Sequence, residues 1–481
     1  MKKTLTFLKK SISVIVLCCT LMPLMSCMAF ALEEDLNIKS EAAMLYCVQS
    51  DTVLYSKNAD KSMRPGVLTK LMVAVVALEE AENRGLSLDS LVTASRKAIS
   101  SARGKHISMK TGEQFRLRDL IACVLHLDAD DAAFVIAESI ADSEENFLKL
   151  MNHKAVELGM KDTVYNSVSA TYDEISTTTA QDQLKLGSYA LQLLPLTEIA
   201  SYYRVEILQT NKSAARYYGT TNYLLSTRVN GDYYLSSAVG LLCGTNGDAG
   251  YCGILASQKN GLNYISVVMG ASDQRVLVSP ERTETDADGN SVTFPAEYKT
   301  IHHGLNDARA LLVYGETSFG YIKAVSAATP ITEIPVKLSS GNDTVVVLPE
   351  YDFEIFVSDD TDKQKEIKYS YTLDVKELTA PVKPGQRVGT LYVEYQGKTI
   401  AEIPLVTKSS VELDGYQVLM KRIKELVSTP FFVILILLTV FAAVFYVFST
   451  AVNRQKHIDK IKKEADKSNR YLNRPKDQTK K

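Results

Sequence analysis

The sequence predicts an exported α/β domain, a smaller all-β domain after it, and one transmembrane helix near the C-terminus. Residues 42–56 alternate as two short strands and precede an apolar helix that begins near Pro65 and Gly66. Residues 330–411 contain alternating strands separated by Pro and Gly turns, which is typical of a small β-sandwich. Residues 430–448 are apolar and uncharged over a length that can cross a bilayer.

The first 31 residues are predicted to be a secretory signal peptide. Lysines precede an apolar run at 12–24, and Ala29-Phe30-Ala31 forms a small-x-small cleavage site. This places the mature start at Leu32. Leu24-Met25-Ser26-Cys27 offers a second interpretation, a lipoprotein box, although Met25 fits such a box poorly.

The C-terminal tail is basic and is predicted to lie in the cytoplasm. From Arg454 onward, Lys and Arg outnumber Asp and Glu, so residues 449–481 are expected inside the cell and the bulk of the chain outside it. A short juxtamembrane helix is expected within 412–429. The whole chain has a net charge of −2, and its positive charges are concentrated in the signal and the tail. The exported part is therefore acidic, which argues against nucleic acid as a partner.

The cysteines do not predict a disulfide scaffold or a metal centre. Cys47, Cys123, Cys243 and Cys252 remain after the signal is removed, too few for a disulfide-dense fold of this length. The sequence has no C-x-x-C spacing that would indicate zinc. No cofactor is expected.

The apolar helix after Pro65 contains one charged residue, Lys70. The positions three and four residues away from it are Gly66, Val67, Val73 and Ala74, which cannot pair with an ammonium group. Such a helix belongs in a core. A buried lysine needs a partner from elsewhere in the fold or loses its proton.

The segment 54–79 resembles the nucleophile region of the low-molecular-mass penicillin-binding proteins, the serine D-alanyl-D-alanine carboxypeptidases. That family has Ser-x-x-Lys here, completed by Ser-x-Asn and Lys-Thr-Gly. Lys70 matches the lysine, but Val67 stands at the position of the nucleophilic serine. The resemblance implies a serine D,D-peptidase (β-lactamase-like) α/β, or α+β, domain over 32–325 and a C-terminal β domain over 330–411.

The other two motifs are also altered in this sequence. Asp128-Ala129-Asp130 replaces Ser-x-Asn, directly before a matching Asp131-Ala132-Ala133. In the strand that corresponds to Lys-Thr-Gly, the residues are Leu242, Cys243 and Gly244. The resemblance makes Gly244 a weak substrate-binding position. It also implies that Leu242 has lost the lysine that faces the substrate's terminal carboxylate.

These replacements predict a catalytically inactive relative that binds peptidoglycan or a cell-envelope protein at the cell membrane. Valine has no lone pair with which to attack a carbonyl group. The alternative is an active D-Ala-D-Ala carboxypeptidase that trims peptidoglycan stem peptides with a serine or cysteine that the motifs do not identify.

Further hypotheses concern single residues of this region. Lys70 is expected to pair with Asp128 or Asp130. His126 and Asp130, four residues apart and with Asp128 close by, could share one helix face as a metal site. Cys243 could be a replacement nucleophile activated by Lys70.

Tyrosines are concentrated in one part of the exported chain. Residues 164–251 contain 11 of the 25 tyrosines. Their amphipathic rings suit either the edges of a core or the stacking of sugars, and the sequence leaves both explanations open.

Overall fold

A computed structural model describes residues 36–169, 171, 175–227, 231–285, 291–360 and 364–472. The predicted signal peptide and both candidate cleavage sites lie outside these residues. The chain divides into two compact units, one of residues 1–320 with 356–360 and the other of residues 321–355 with 361–481. Each is described by itself.

The first unit is mixed α/β, as predicted. Its strands are β1 (Ala42–Cys47), β2 (Thr52–Lys57), β3 (Leu91–Thr93), β4 (Gln114–Arg116), β5 (Arg204–Ile207), β6 (Arg216–Gly219), β7 (Ala238–Asn246), β8 (Gly250–Lys259), β9 (Leu262–Ala271), β10 (Asp273–Ser279), β11 (Arg282–Thr285), β12 (Ser291–Phe294) and β13 (Glu297–His302). Its helices are α1 (Thr69–Asn83), α2 (Arg96–Ser101), α3 (Leu117–Leu127), α4 (Asp130–Ala141), α5 (Glu144–Glu157), α6 (Ala180–Ala190), α7 (Leu194–Ala200) and α8 (His303–Ser318).

The central sheet is antiparallel with strand order β2-β1-β9-β8-β7. The predicted hairpin is present as β1 and β2. Strand β7 lies at one edge of the sheet, so only one of its two long edges pairs with another strand of that sheet. This places the strand that carries Gly244 beside α1.

Helices cover both faces of this sheet. Because successive side chains of a strand point to opposite faces, Met44 packs in a core with α1, α3 and α4, and Leu45 packs in a second core with α8. The first core is the larger and contains nine of the 15 residues of α1. Helix α1 is therefore enclosed, as the absence of a polar face in its sequence predicts.

A ribbon of two strand pairs lies between β9 and α8 along the chain. Strand β10 pairs with β13 and β11 with β12, all antiparallel. Strands β11 and β12 are the two arms of a hairpin, and its stem extends back to Asp273 and forward to His302.

The second unit contains a six-stranded sheet of order β18-β20-β21-β16-β15-β19. The remaining strands of the chain are β14 (Phe319–Val325), β15 (Thr332–Lys337), β16 (Thr344–Pro349), β17 (Phe353–Ser358), β18 (Lys368–Leu373), β19 (Leu378–Thr379), β20 (Arg387–Tyr395) and β21 (Lys398–Thr407). Its core is built largely from valine, leucine and isoleucine. The predicted all-β domain is confirmed.

Two helices follow, α9 (Gly415–Val427) and α10 (Pro430–Leu472). Asp414 caps α9 by accepting hydrogen bonds from the backbone N–H groups of Tyr416 and Gln417. Among the described residues, α10 is the one helix that is long and apolar enough to cross a membrane. It does not end at Phe448 but continues into the basic segment.

Candidate functional site

The residue at the nucleophile position lies in a short 3-10 turn, Gly66–Leu68, directly before α1. Val67 is fully buried, and a Cβ atom built on Gly244 would lie 3.4 Å from its Cγ2. On the other side of the turn, Gly66 has a φ of +53°, and a Cβ there would come within 2.7 Å of Ala249 Cβ. Strand β7 and the turn that follows it therefore pack tightly on the 3-10 turn. The fold brings Val67 and Gly244 together, but at the point of contact it offers a methyl group instead of a hydroxyl.

Lys70 forms a buried ion pair. Its Nζ lies 2.5 Å from Asp130 Oδ1 and donates a second hydrogen bond of 3.0 Å to the Val168 carbonyl oxygen. The side chains of Lys70 and Asp130 are 0% and 1% exposed. The fold thus supplies the partner that α1 lacks, and of the two expected carboxylates Asp130 is the one that pairs.

The second oxygen of Asp130 is held by other donors. Gly104 N and Ser169 Oγ donate to Oδ2 at 2.7 and 2.6 Å. Burial alone would raise the pKa of Asp130, but the charge of Lys70 and the hydrogen bonds from Lys70, Ser169 and Gly104 outweigh it and hold that pKa below its usual value. The Ser169 hydroxyl is committed to this carboxylate in a side chain that is 3% exposed, which does not suit a nucleophile.

Asp128 occupies the break between α3 and α4, with a left-handed φ of +53°. Its Oδ2 lies 3.7 Å from Lys105 Nζ, while its buried Oδ1 has no hydrogen-bond partner among the described residues. Burial raises the pKa of Asp128 to about 6, against the opposing charges of Lys70 and Lys105. Asp128 therefore titrates just below neutral pH, whereas Asp130 stays ionised.

Lys105 is the site residue that sequence reasoning missed. Its Nζ, besides facing Asp128, donates a 3.4 Å hydrogen bond to the Thr245 carbonyl oxygen of β7, and its side chain is 49% exposed. Lys105 therefore links the loop after α2 to the strand opposite. No periodicity or motif marks it in the sequence, because it lies in a polar loop whose path depends on tertiary contacts.

Leu242 and Cys243 point to opposite faces of β7. Leu242 belongs to the core that contains α1, and Cys243 to the core that contains α8. Burial raises the pKa of the Cys243 thiol to about 12. The hypothesis that Lys70 activates Cys243 is therefore wrong: the thiol is buried on the other face of the sheet, and Lys70 is paired with Asp130.

The metal hypothesis for His126 is also wrong. The left-handed break at Asp128 puts His126 on α3 and Asp130 on α4, so the two do not share a helix face. The ring nitrogens of His126 lie 2.8 Å from Thr220 Oγ1 and 2.7 Å from the Ile199 carbonyl oxygen. Burial lowers the pKa of His126 to about 4. Across the described ranges, no group of three or more His, Cys, Asp or Glu side chains could hold a metal ion.

A cavity of about 550 Å³ opens beside this site, at the end of the sheet. Its lining includes Thr245 and Asp248 but not Val67, Lys70 or Asp130. Arg64 reaches across it to Asp248, with Nη1 and Oδ2 3.1 Å apart. The buried residues Val67, Lys70 and Asp130 are therefore not exposed to this cavity.

The family of the chain follows from its sequence and fold together. The sequence model of the D-alanyl-D-alanine carboxypeptidase family matches residues 28–273, and that of the penicillin-binding protein 5 C-terminal domain matches residues 319–413. The chain belongs to the D-alanyl-D-alanine carboxypeptidase family, as its sequence indicates. The ribbon of β10–β13 lies almost entirely between the two matched regions.

Curated relatives cover most of the chain. The D-alanyl-D-alanine carboxypeptidase DacF of Bacillus subtilis is 25% identical over 390 residues, which covers 80% of this chain and 90% of DacF. DacC of Escherichia coli is 27% identical over 404 residues, covering 81% and 89%. The chain is thus a D-alanyl-D-alanine carboxypeptidase-like protein of the cell wall.

Solved structures share the fold. Penicillin-binding protein 5 of Haemophilus influenzae superposes with a TM-score of 0.52 at 22% identity, covering 78% of this chain and 98% of that one. Penicillin-binding protein 6B of Escherichia coli gives 0.52 at 22% identity, with 77% and 96% covered.

Proposed function

We propose that this protein is a non-catalytic member of its family that binds peptidoglycan at the outer face of the cell membrane. The observation that carries the proposal is Val67, a fully buried valine at the nucleophile position. The family's chemistry needs a hydroxyl group that a neighbouring base can deprotonate. Valine cannot form the acyl-enzyme.

The retained lysine supports the same proposal. A general base must have a free lone pair and must reach the proton it removes. Lys70 instead donates to Asp130 and to the Val168 carbonyl oxygen. Its role in this chain is that of a buried structural cation, a use that needs a lysine but not a serine.

The charge of the residues at the substrate-binding positions also supports the proposal. The relatives are named as D-alanyl-D-alanine carboxypeptidases, and the terminus of such a substrate is an anion. Here Leu242 is neutral and buried, while the charge of Asp130 is balanced by Lys70 and Asp128 lies 3.7 Å from Lys105. The attraction that the family's lysine would provide for an anionic terminus is therefore lost at position 242.

Membrane anchoring completes the proposal. Signal cleavage before Leu32, a bilayer span over 430–448 and a basic tail over 449–481 would leave residues 32–429 outside the cell, in a single-pass topology. Helix α10 supports the span, because its residues in this stretch are uncharged and most of them are exposed and apolar. The bound peptidoglycan would then be the part of the wall that faces the membrane.

The test pairs a binding assay with an activity assay. The full chain, purified in detergent, is sedimented with peptidoglycan sacculi and is also incubated with a D-Ala-D-Ala-terminated peptide. We expect co-sedimentation without release of D-Ala, with DacC of Escherichia coli run beside it as the active control. Release of D-Ala above background would support the alternative, an active carboxypeptidase, and failure to co-sediment would refute the binding role.

A further inference from the structure

A groove on the far side of α3 combines tyrosine rings with guanidinium groups. It encloses about 410 Å³, within the size range of small-ligand sites. One wall is the start of α3 and the other is the segment that enters β5. The lining residues are Arg116, Arg118, Asp119, Tyr202, Tyr203 and Arg204, with Glu206 and Leu208 at one end.

The structure separates two kinds of tyrosine in the tyrosine-rich segment. Tyr165 and Tyr233 are buried and serve the core, which is the common use of such rings. Tyr203 and Tyr217 are 46% and 59% exposed. The guanidinium carbon of Arg204 lies between them, 5.9 Å from the Tyr203 ring centroid and 5.4 Å from that of Tyr217.

Tyr203 and Arg204 line the groove and Tyr217 lies against Arg204, so the three side chains form a platform beside it. The contacts with Arg204 hold the two rings in place while each keeps much of its surface in water. Exposed apolar patches rimmed by polar groups are typical of interaction sites. The apolar faces of sugar rings match such rings in size and polarity.

The guanidinium groups differ in how far they are already neutralised. Arg116 makes two hydrogen bonds to Asp119, at 2.9 and 2.8 Å, and Arg118 Nε lies 3.0 Å from Asp89 Oδ1. Arg204 Nη2 is 3.9 Å from Glu206 Oε2, too long for a hydrogen bond. Arg204 therefore has donors available for an external carboxylate, and it is the arginine that contacts both exposed rings.

We propose that this groove binds peptidoglycan glycan strands that have lost their stem peptides. Removal of the peptide leaves a free lactyl carboxylate on alternate sugars, so each repeat presents an apolar ring face beside an anion. Arg204 binds the carboxylate, and Tyr203 and Tyr217 stack on the sugars. The proposal rests on the proposed binding of peptidoglycan and names the part of the polymer that is recognised.

The groove is anchored to the core independently of the altered motif residues. The Tyr202 ring stacks on His126, with centroids 6.3 Å apart and planes 12° from parallel, and His126 is fixed by two hydrogen bonds inside the fold. The groove wall is therefore rigid whether or not the family's cleft is used.

The experiment measures binding of the full chain in detergent to peptide-free glycan strands, prepared by amidase treatment of sacculi, and to untreated sacculi. We expect tighter binding to the peptide-free strands. Tyr203→Ala with Tyr217→Ala should weaken that binding at least tenfold, and Arg204→Glu should abolish the preference for peptide-free strands. Tyr234→Ala is the matched control, because Tyr234 is 38% exposed but neither lines the groove nor contacts Arg204.

The possible outcomes separate this inference from the proposed function. If the parent binds sacculi but the groove variants bind peptide-free strands as well as the parent does, the groove is not the site and the general binding role stands. If binding requires stem peptides, the ligand class is wrong. If the parent releases D-Ala and the groove variants lose glycan binding, the inference holds and the non-catalytic function fails. Unchanged melting temperatures of the variants exclude misfolding as the cause.

Discussion

Replacing Lys70 with methionine should destabilise the first unit strongly. Methionine matches the length of the lysine stem, but it leaves the Asp130 carboxylate buried without its cation. Breaking a buried ion pair from one side costs about 3 to 5 kcal/mol. For a unit of this size, where 1 kcal/mol shifts the melting temperature by about 2 to 4 °C, Lys70→Met should lower it by about 6 to 20 °C.

Adding Asp130→Asn to Lys70→Met should recover more than half of this loss. The Asn oxygen can still accept from Gly104 N and Ser169 Oγ, which now donate to Asp130 at 2.7 and 2.6 Å. Its amide nitrogen offers a donor in place of the lost ammonium, and no charge is left stranded.

Thermal melting of the full chain in detergent measures both variants. Lys105→Met is the control, since its side chain is half exposed at 3.7 Å from Asp128, and exposed pairs contribute less than about 1 kcal/mol. If Lys70→Met melts with the parent, Lys70 is solvated and the buried pair does not explain its retention. If the double variant is no more stable than the single one, the loss comes from packing instead of from charge.

Three further predictions concern ionisation, chemistry and topology. The pKa of Asp128 is raised to about 6, so the folded state binds this proton more tightly than the unfolded state does. The resulting stabilisation is complete below about pH 4 and is lost as the pH rises through about 6. Melts between pH 4 and 7 should show this loss, roughly 3 kcal/mol, in the parent and not in Asp128→Asn. Val67→Ser alone should release no D-Ala from a peptide, because Leu242 still lacks the charge that faces a terminal carboxylate, and measurable release would contradict this reasoning. On intact cells, a cysteine introduced at Ser468 should not react with an impermeant thiol reagent, whereas one at the exposed Ser100 should react. The native cysteines of the described part are all buried, so background labelling should be low. Labelling at Ser468 would reverse the topology.

The sequence was sufficient for the fold because the residue pattern within each segment specifies its secondary structure. Such patterns predicted the hairpin, the enclosed helix that contains Lys70, and the β domain. The structure contains all three. The need for a partner for Lys70 also followed from α1 alone, since its neighbours on the helix are uncharged. The choice between Asp128 and Asp130 did not, because a single left-handed residue at Asp128 decides which carboxylate faces the lysine.

The wrong hypotheses share one cause, which is that spacing was used in place of tertiary geometry. His126 and Asp130 are four residues apart, yet a helix break separates them. Cys243 follows Leu242, and strand alternation sends its thiol to the other face of the sheet. Lys105 went unnoticed because its role comes from a loop crossing to β7, a contact that no local pattern encodes.

The most direct test of the central claim is covalent labelling by a fluorescent penicillin. The full chain in detergent and DacC of Escherichia coli are treated alike, separated under denaturing conditions and examined by fluorescence and intact mass. Because penicillin acylates the family's nucleophile and Val67 cannot be acylated, we predict a labelled DacC and an unlabelled chain of unchanged mass. A stoichiometric adduct on this chain that is lost when the protein is denatured beforehand would show that another residue acts as the nucleophile, and it would contradict the non-catalytic function.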